Sequence, residues 1–336
     1  MGAIALSPTN IVNNQLTYDK DNTYISMSKY EESPEIMIKR GDVIFVKTGS
    51  TVGKVAYVDK MICKTTLNPQ VVVLKDIKCD NYILSVIMST RNFQNKIQRI
   101  TVGGAVPTLS QVAMGNIFIS LPAAKEQKKI SKFISLLDER ITTQNKIIDK
   151  LQSLIKGIRN DVFGNLRKNI GFNAVVGDVL DYEQPQSYIV EDTEYTNEGT
   201  PVLTANKAFV LGYTSETNGI YDKGDCIIFD DFTLDCKYVD FPFKVKSSAI
   251  KILTAKNKEL LRYTFEFLKY LDLSTEEHKR HYIAETQNQE IILPTEQMVK
   301  TIAHIFSTLS LRMETAVKQR NVFEKQKQYL LRQMFI

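Results

Sequence analysis

Two stretches of the chain repeat apolar residues at alternating intervals of four and three. The first stretch has Ile, Leu or Val at every position of this pattern except Gln144, and the positions are 130, 134, 137, 141, 144, 148, 151, 155, 158 and 162. Such spacing places one apolar stripe along a helix, as in a heptad repeat. It predicts a helix from Glu126 to Phe163 that is about 57 Å long.

The second stretch is a copy of the first. Residues 121–163 and 293–335 align without a gap at an offset of 172, and both segments begin with Leu-Pro. The copy keeps the stripe less strictly, because Arg320 and Lys327 occupy stripe positions, where long basic side chains can extend to solvent. Spacing alone favours an intramolecular helical pair over a coiled coil with a partner. We predict that the two copies pack antiparallel as a spacer with one globule at each end. The residues expected to pack them are Ile130, Ile134, Leu137, Ile141, Ile148, Leu151, Ile155, Ile302, Phe306, Leu309, Met313 and Phe323.

A globule precedes each helix, and the two globules share a pattern. The segment "GDVIFVKTGSTVGKVAYVD" (41–59) resembles "GDCIIFDDFTLDCKYVD" (224–240), and both read as short β-branched and aromatic strands around turns. A helix-like stretch follows each, at 81–100 and 258–283. The predicted fold class is α+β, with two mixed α/β domains separated by two long antiparallel coiled-coil helices in a pseudo-twofold duplication. The predicted boundaries are 1–122 for the first domain, 123–168 for the first helix, 169–293 for the second domain and 294–336 for the second helix.

The "GSTVGK" within the first globule raises the question of a phosphate-binding loop. A Walker A loop has four residues between its glycines and a Ser or Thr after the lysine. Here three residues separate Gly49 from Gly53, and Val55 follows Lys54. The flanking strands favour a β-hairpin whose tip carries Lys47, Thr48, Ser50 and Lys54.

Composition narrows the class of protein further. The 336 residues contain no run of 18 apolar residues and no N-terminal signal pattern, so we expect a cytoplasmic protein without a membrane span. Four cysteines without CxxC pairing and three histidines without ligand spacing predict free thiols and no metal site.

The net charge of +5 is unevenly distributed. Residues 169–294 carry 12 Lys and Arg against 21 Asp and Glu, whereas the rest of the chain is basic. A protein that bound nucleic acid alone would need positive charge over its whole binding surface. If this chain binds DNA, the acidic block implies that other subunits contribute.

The layout resembles the specificity (S) subunit of type I restriction-modification systems. The resemblance rests on the "GD" before an apolar strand with its "GKVAYV" return, on "GGAVPTLS" before "IFISLP", on "EQKKISKFISLLDERI", and on the closing "LLRQMF". The duplicated order of these parts is more specific than any one of them.

The resemblance implies a chain without catalysis or cofactors. Each globule would be a target recognition domain that reads one half of a split double-stranded DNA sequence. The long helices would be the spacer and would dock methyltransferase subunits, two in number, which restriction subunits join. A spacer of about 57 Å exceeds one turn of DNA, about 34 Å, so half-sites about a turn apart are within reach.

Residue types that contact DNA are found on the expected turns. Base edges are read by Arg, Lys, Asn, Gln, Ser and Thr, and phosphates are held mainly by Lys and Arg. In the first domain the candidates are Lys47, Thr48, Ser50, Lys54, Arg99, Thr101 and Thr108. In the second domain they are Asn206, Lys207, Thr233, Lys237, Lys279, Arg280, His281 and Tyr282. The acidic pair Asp230 and Asp231 is expected to cap a turn rather than to accept from cytosine.

Two alternatives stay open. An enzyme is disfavoured, because "NPQV" at Asn68 lacks the rest of a methyltransferase motif and Glu266 in "EFLK" has no evident carboxylate partner for a nuclease. The other alternative is a truncated S-like scaffold or decoy that binds methyltransferase subunits without full DNA recognition. It is suggested by the first domain, where about 40 residues precede Gly41, against about 55 between the first helix and Gly224.

Overall fold

The computed structural model describes residues 2–18, 22–204, 209–273, 282–283 and 285–335. The chain forms two compact units, and the first of them is assembled from two separate parts of the sequence. The first unit is Met1–Gln144 with Gln319–Ile336, and the second is Asn145–Lys318. This division cuts across the long helices, whereas the domain boundaries predicted from the sequence follow the change from globule to helix.

The first unit contains a mixed globule with two sheets. Its strands are β1 (Ala3–Leu6), β2 (Ile11–Val12), β3 (Gln15–Leu16), β4 (Thr23–Ile25), β5 (Val43–Val46), β6 (Val55–Tyr57), β7 (Thr65–Leu67) and β8 (Val71–Leu74). Its short helices are α1 (Met27–Glu31), α2 (Asn81–Ser89), α3 (Arg91–Ile100) and α4 (Gln111–Gly115). One sheet has the order β4-β1-β7 and the other β2-β3-β6-β5-β8. The stretch predicted as one helix over 81–100 is two helices, because Thr90 is extended and its side chain accepts from the N–H of Phe93 to cap α3.

The predicted hairpin of β5 and β6 lies at the centre of the larger sheet. All four residues of β5 are completely buried, and their side chains alternate between two apolar clusters. Ile44 and Val46 face one cluster with β1, while Val43 and Phe45 face the other with α3. The continuous "VIFV" run is therefore a strand covered on both faces.

The second unit repeats this hairpin in a different setting. Its strands are β9 (Ala174–Val175), β10 (Leu180–Glu183), β11 (Thr200–Leu203), β12 (Val210–Thr214), β13 (Cys226–Asp230), β14 (Cys236–Val239), β15 (Lys244–Val245), β16 (Ile250–Ala255) and β17 (Glu290–Ile291), with α6 (Lys258–Leu271). The sheets have the orders β10-β16-β13-β14, β12-β11-β15 and β17-β9. Strand pair β13–β14 corresponds to β5–β6, and the glycines before them, Gly41 and Gly224, have φ values of 94° and 96°. Both hairpins begin at a turn that favours glycine.

Two long helices complete the units, namely α5 (Ala124–Asn169) with 46 residues and α7 (Glu296–Met334) with 39. In the first unit they run antiparallel, since the guanidinium of Arg140 lies 5.6 Å from the ring centre of Phe323, and Gln144 donates to Gln319 at 2.5 Å. In the second unit Phe163 stacks on Phe306 with ring centres 6.4 Å apart. The predicted α+β fold with paired long helices is confirmed. The placement of a globule at each end of a spacer stays a prediction.

The twelve residues expected to pack the helices are all buried or half-buried. Ile134 and Phe306, for example, are 0% and 1% exposed. Lys327 differs from expectation, because its ammonium forms an ion pair with Asp138 instead of extending to solvent. The polar position Gln144 faces another glutamine, so a polar pair interrupts the apolar stripe.

Contacts at equivalent positions connect each globule to the long helices. In the first unit the Tyr82 hydroxyl donates to the Asp138 carboxylate at 2.6 Å, and the Tyr82 ring contacts the Tyr57 ring edge-on at 5.4 Å. In the second unit Arg262 donates to the Ser310 hydroxyl and lies 4.9 Å from the centre of the Tyr238 ring. Asp138 and Ser310 are equivalent at the offset of 172, and Tyr57 and Tyr238 end the aligned hairpins.

Glu266 on α6 has partners that the sequence did not reveal. Its carboxylate accepts from Arg159 at 2.7 Å and from Arg262 at 2.7 Å, and its side chain is 1% exposed. These partners are arginines, one of which, Arg159, comes from the long helix α5. The Glu266 carboxylate neutralises the positive charge of two arginines where α6 meets α5.

No helix within the described ranges is long and apolar enough to cross a membrane. The four cysteines are free: Cys226 and Cys236 are buried, and Cys63 and Cys79 are half-buried. Burial raises the pKa of the Cys226 thiol and of the Cys236 thiol to about 12.

We expect Glu266→Gln to loosen the attachment of α6. The substitution leaves two largely buried guanidinium groups without a counter-charge, which costs about 3 kcal/mol. Native-state hydrogen exchange at the amides of α6 measures the loss. The matched control is Glu259→Gln, on the exposed side of the same helix. Equal exchange rates in the two variants would contradict the structural role of Glu266.

Candidate nucleic-acid interface

The β5–β6 hairpin tip and the Gly-Gly turn form one surface in the first unit. The N–H of Gly49 donates to Pro107 at 2.9 Å, and the N–H of Leu109 donates to Lys47 at 2.8 Å. Thr48 and Thr108 pair as an antiparallel bridge. The turn itself is closed by two bonds between Val102 and Thr108, at 3.1 and 2.8 Å. Backbone contacts thus bring together two segments that are more than fifty residues apart in the chain.

Glycines permit this close approach. Gly49 and Gly103 have φ values of 104° and 103°, a backbone conformation that residues with a side chain rarely adopt. A Cβ on Gly103 would lie 2.6 Å from the carbonyl oxygen of Val106. Gly104, one residue later, has open space around it.

The candidate side chains of the first unit differ in exposure. Ser50, Lys54 and Arg99 are exposed, while Lys47, Thr48, Thr101 and Thr108 are half-buried. The Lys54 ammonium donates to the carbonyl of Ile11 at 3.3 Å, and the Thr101 hydroxyl donates to the carbonyl of Ile97 at 2.8 Å. The structure brings Lys47, Thr48, Ser50 and Thr108 together through the backbone contacts of the tip. Thr101 and Arg99 lie at the end of α3, next to the turn.

The surface is electropositive. The segments 43–58 and 90–111 contain five basic residues and no Asp or Glu, and the basic residues are Lys47, Lys54, Arg91, Lys96 and Arg99. Positive side chains on exposed turns are suited to phosphate oxygens. Hydroxyls on Thr48, Ser50 and Thr108 can donate to or accept from base edges.

Sequence reasoning missed one part of this surface. The turn before β8 lies beside the hairpin tip, because the N–H of Lys47 donates to the carbonyl of Gln70 at 2.9 Å. Gln70 and Asn68 are both polar amides, a type that reads adenine in the major groove. The signal is present in "NPQV", where two amide side chains flank a turn.

The matching hairpin tip in the second unit is acidic, whereas the tip in the first unit is basic. The Asp230 carboxylate accepts from the N–H groups of Phe232 and Thr233 at 2.9 and 3.3 Å, so it caps the turn as expected. Thr233 is exposed at the tip. Lys237 is paired with Asp235 at 3.1 Å, and Lys269 is paired with the same carboxylate at 2.7 Å. Burial raises the pKa of the Asp235 carboxyl, but hydrogen bonds from Lys269 and Lys237 outweigh it and hold that pKa below its ordinary value.

Tyr282 is a core residue and does not present its ring to solvent. The side chain is 0% exposed, and its ring contacts Tyr182 and Phe229 edge-on at 5.4 and 5.3 Å. Its N–H donates to the Asp231 carboxylate at 2.8 Å. The expectation that Tyr282 contacts DNA is therefore corrected, since an apolar setting is where a large aromatic ring is most stable. Asn206, Lys207, Lys279, Arg280 and His281 lie outside the described residues.

The described part of the chain contains no group of three His, Cys, Asp or Glu side chains that could hold a metal ion. The chemistry of the first-unit surface is that of binding, because its residues are cations, hydroxyls and amides.

Comparisons with known proteins agree with a nucleic-acid interface. The sequence model of the type I restriction modification DNA specificity domain matches residues 6–153. A specificity subunit of the type I restriction enzyme EcoR124I/EcoR124II of Escherichia coli is 46% identical over 126 residues, which cover 35% of this chain and 31% of that protein. The MjaVIII specificity subunit of Methanocaldococcus jannaschii is 29% identical over 129 residues, which cover 38% of this chain and 29% of that protein. The matches thus span about a third of the length of these curated relatives.

A solved structure shares the fold over the whole chain. The S subunit of a type I restriction-modification system from M. genitalium superposes with a TM-score of 0.69 at 14% identity. The match covers 100% of this chain and 93% of that one.

We expect Gly103→Ala to open the Gly-Gly turn. The added Cβ meets a carbonyl oxygen in a left-handed conformation, which costs about 1–3 kcal/mol. Amide exchange of Val102 and Thr108, whose N–H groups close the turn, should accelerate accordingly. Gly104→Ala is the matched control and should leave these amides unchanged. Identical behaviour of the two variants would contradict the geometry of the turn.

Proposed function

Since the chain carries a type I restriction-modification DNA specificity domain at residues 6–153 and resembles the S subunits of these systems, we propose that it is a DNA sequence-recognition subunit without chemistry of its own. In this proposal it reads a bipartite target in double-stranded DNA. Two methyltransferase subunits dock on it, restriction subunits join through them, and the complex works in the cytoplasm.

One observation carries the proposal. The electropositive surface of the hairpin tip and the Gly-Gly turn lies wholly within the matched residues. Lys47, Lys54 and Arg99 have the charge and position to hold phosphates. The hydroxyls of Thr48, Ser50 and Thr108 are the groups that we assign to base edges.

The second globule is assigned to the other half of the target through its matching hairpin. Its tip offers the exposed Thr233, but Lys237 and Lys269 are neutralised by Asp235. Little net positive charge is therefore left at this tip for phosphate binding. Companion subunits would supply the missing phosphate contacts.

Exposed apolar side chains on the long helices support docking of companions. They stand outside the buried stripe. In the first unit they are Phe133 and Leu136 on α5, with Val322 and Tyr329 on α7, from 46% to 63% exposed. In the second unit they are Ile147, Leu154 and Leu311, from 41% to 64% exposed. Large apolar side chains exposed on a helix are common at protein interfaces.

One structural observation supports a second candidate function. The first globule has no counterpart of β9 and β10 among its described strands. A chain whose first reader is incomplete would dock methyltransferase subunits without full DNA recognition, as a scaffold or decoy.

Mapping the methylated bases separates the two functions. The chain is co-expressed with its methyltransferase subunit in a host free of methylation, and the genomic DNA is sequenced with detection of modified bases. A split motif with two different halves supports two readers. Co-purification of the subunits without any modification supports the scaffold.

Lys47→Ala with Lys54→Ala should weaken DNA binding by the assembled complex at every sequence. Loss of a phosphate contact lowers the slope of log affinity against log salt by about one for each contact. Titration of DNA at several salt concentrations measures the slope. Lys29→Ala is the control, since that ammonium is paired with Glu32 on an exposed helix of the same unit. An unchanged slope would remove the hairpin from the interface.

A further inference from the structure

Two aliphatic side chains are exposed on the Gly-Gly turn beside the hairpin tip of the first unit. Val102 and Val106 lie in the two arms of this turn and are 68% and 58% exposed. The neighbouring cations, hydroxyls and amides can bind phosphates and polar base edges, whereas a valine can bind neither. The two valines therefore give this surface a second kind of chemistry.

The backbone around Val106 is held in place. Its carbonyl oxygen accepts from the Thr108 hydroxyl at 3.3 Å and lies 2.6 Å from the position that a Cβ on Gly103 would take. The carbonyl of the next residue, Pro107, accepts from the N–H of Gly49 at 2.9 Å. A residue before proline is restricted to extended conformations, and a β-branched side chain has few rotamers. Val106 therefore loses little conformational entropy when its methyl groups are covered.

Backbone bonds also hold Val102. Its N–H donates to the Thr108 carbonyl at 3.1 Å, and its own carbonyl accepts from the N–H of Thr108 at 2.8 Å, so the turn is two-stranded at this point. Neighbouring strands lie about 5 Å apart, and the major groove of B-DNA is about 12 Å wide, so such a turn can enter the groove. Thr48 pairs with Thr108, and the hairpin tip would therefore approach the DNA together with the turn.

The charge around the valines indicates what covers them. Segments 43–58 and 90–111 contain five basic residues and no acidic one, which favours a polyanion as the partner. The apolar group that unmodified DNA presents in its major groove is the C5-methyl group of thymine. A contact between aliphatic side chains and this methyl group is one of the recognised modes of direct base readout.

We propose that Val102 and Val106 read thymine methyl groups in the half-site that the first unit binds. This inference rests on the proposed function and deepens it, because it names a base that the turn recognises. The methyl group distinguishes T·A from A·T as well as from both G·C orientations, since it lies on one side of the base pair. The contact is apolar, so its contribution should not depend on salt, in contrast to the phosphate contacts assigned to Lys47 and Lys54.

The test replaces thymidine by deoxyuridine, which lacks only the C5-methyl group. Three duplexes carry the split motif found by mapping methylation, with all thymidines replaced in one half, in the other half or in neither. The assembled complex should bind one of the substituted duplexes about fourfold more weakly for each methyl group that is contacted. The factor should be the same at low and at high salt.

The Val102→Ala, Val106→Ala variant connects this loss to the turn. In its complex the same substituted duplex should bind almost as tightly as the unsubstituted one, while any loss caused by the other half should stay as in the wild type. The fold should persist because both side chains are exposed.

Ile62→Ala is the matched control. Ile62 is 66% exposed in the same unit, but it follows β6, whereas the hairpin tip precedes that strand. The control complex should respond to deoxyuridine as the wild type does.

Three results would overturn the inference alone. One is a wild-type complex that binds all three duplexes equally. Another is a loss of equal size in the wild type and in the valine variant, because the effect would then come from the DNA or from other side chains. The third is a valine variant that no longer assembles with the methyltransferase subunit, since the valines would then lie in a protein interface. A wild-type complex that binds the mapped motif no better than scrambled DNA would overturn the proposed function, and this inference with it.

Discussion

Each unit depends on the contact between its globule and one position of a long helix. Asp138 accepts from Tyr82 in the first unit, and Ser310 accepts from Arg262 in the second. Tyr82 and Arg262 also pack on Tyr57 and Tyr238, the tyrosines that end the two hairpins. Each hairpin is therefore linked to the long helix through a single intervening side chain. Because Tyr82 is buried beside a carboxylate, its pKa is raised and its hydroxyl stays a donor. The orientation of a tip within its unit is therefore set by helix packing as much as by the sheet.

The helices and hairpins could be predicted because their signals are local. A heptad stripe and a GD before a β-branched run report structure from a few consecutive residues. The partners of Glu266 and the position of Tyr282 could not be predicted, because Arg159, Tyr182 and Phe229 come from distant parts of the chain. The same reason explains Gln70, which joins the candidate interface through a single backbone bond to Lys47. Polar residues in turns give little indication of which other turn they will meet.

The two copies differ more in the side chains of their exposed hairpin tips than in the strands that form the hairpins. The hairpins retain their antiparallel pairing and the glycine that begins them, while charge at the tips has changed from basic to acidic. A buried strand tolerates few substitutions, since each change of volume disturbs close packing. An exposed tip is free of that constraint, so binding preference can change while the scaffold stays the same.

The distribution of cysteines has a practical consequence. Thiols react as thiolates, and the buried Cys226 and Cys236 have pKa values of about 12, so at neutral pH they are almost entirely protonated and inert. The half-buried Cys63 and Cys79 both belong to the first unit and are partly open to solvent, although burial raises the pKa of the Cys79 thiol as well. A thiol-reactive dye added to the unmodified chain would therefore label one unit and leave the other unlabelled. The wild-type sequence thus provides a local optical reporter of the first unit without any engineered residue.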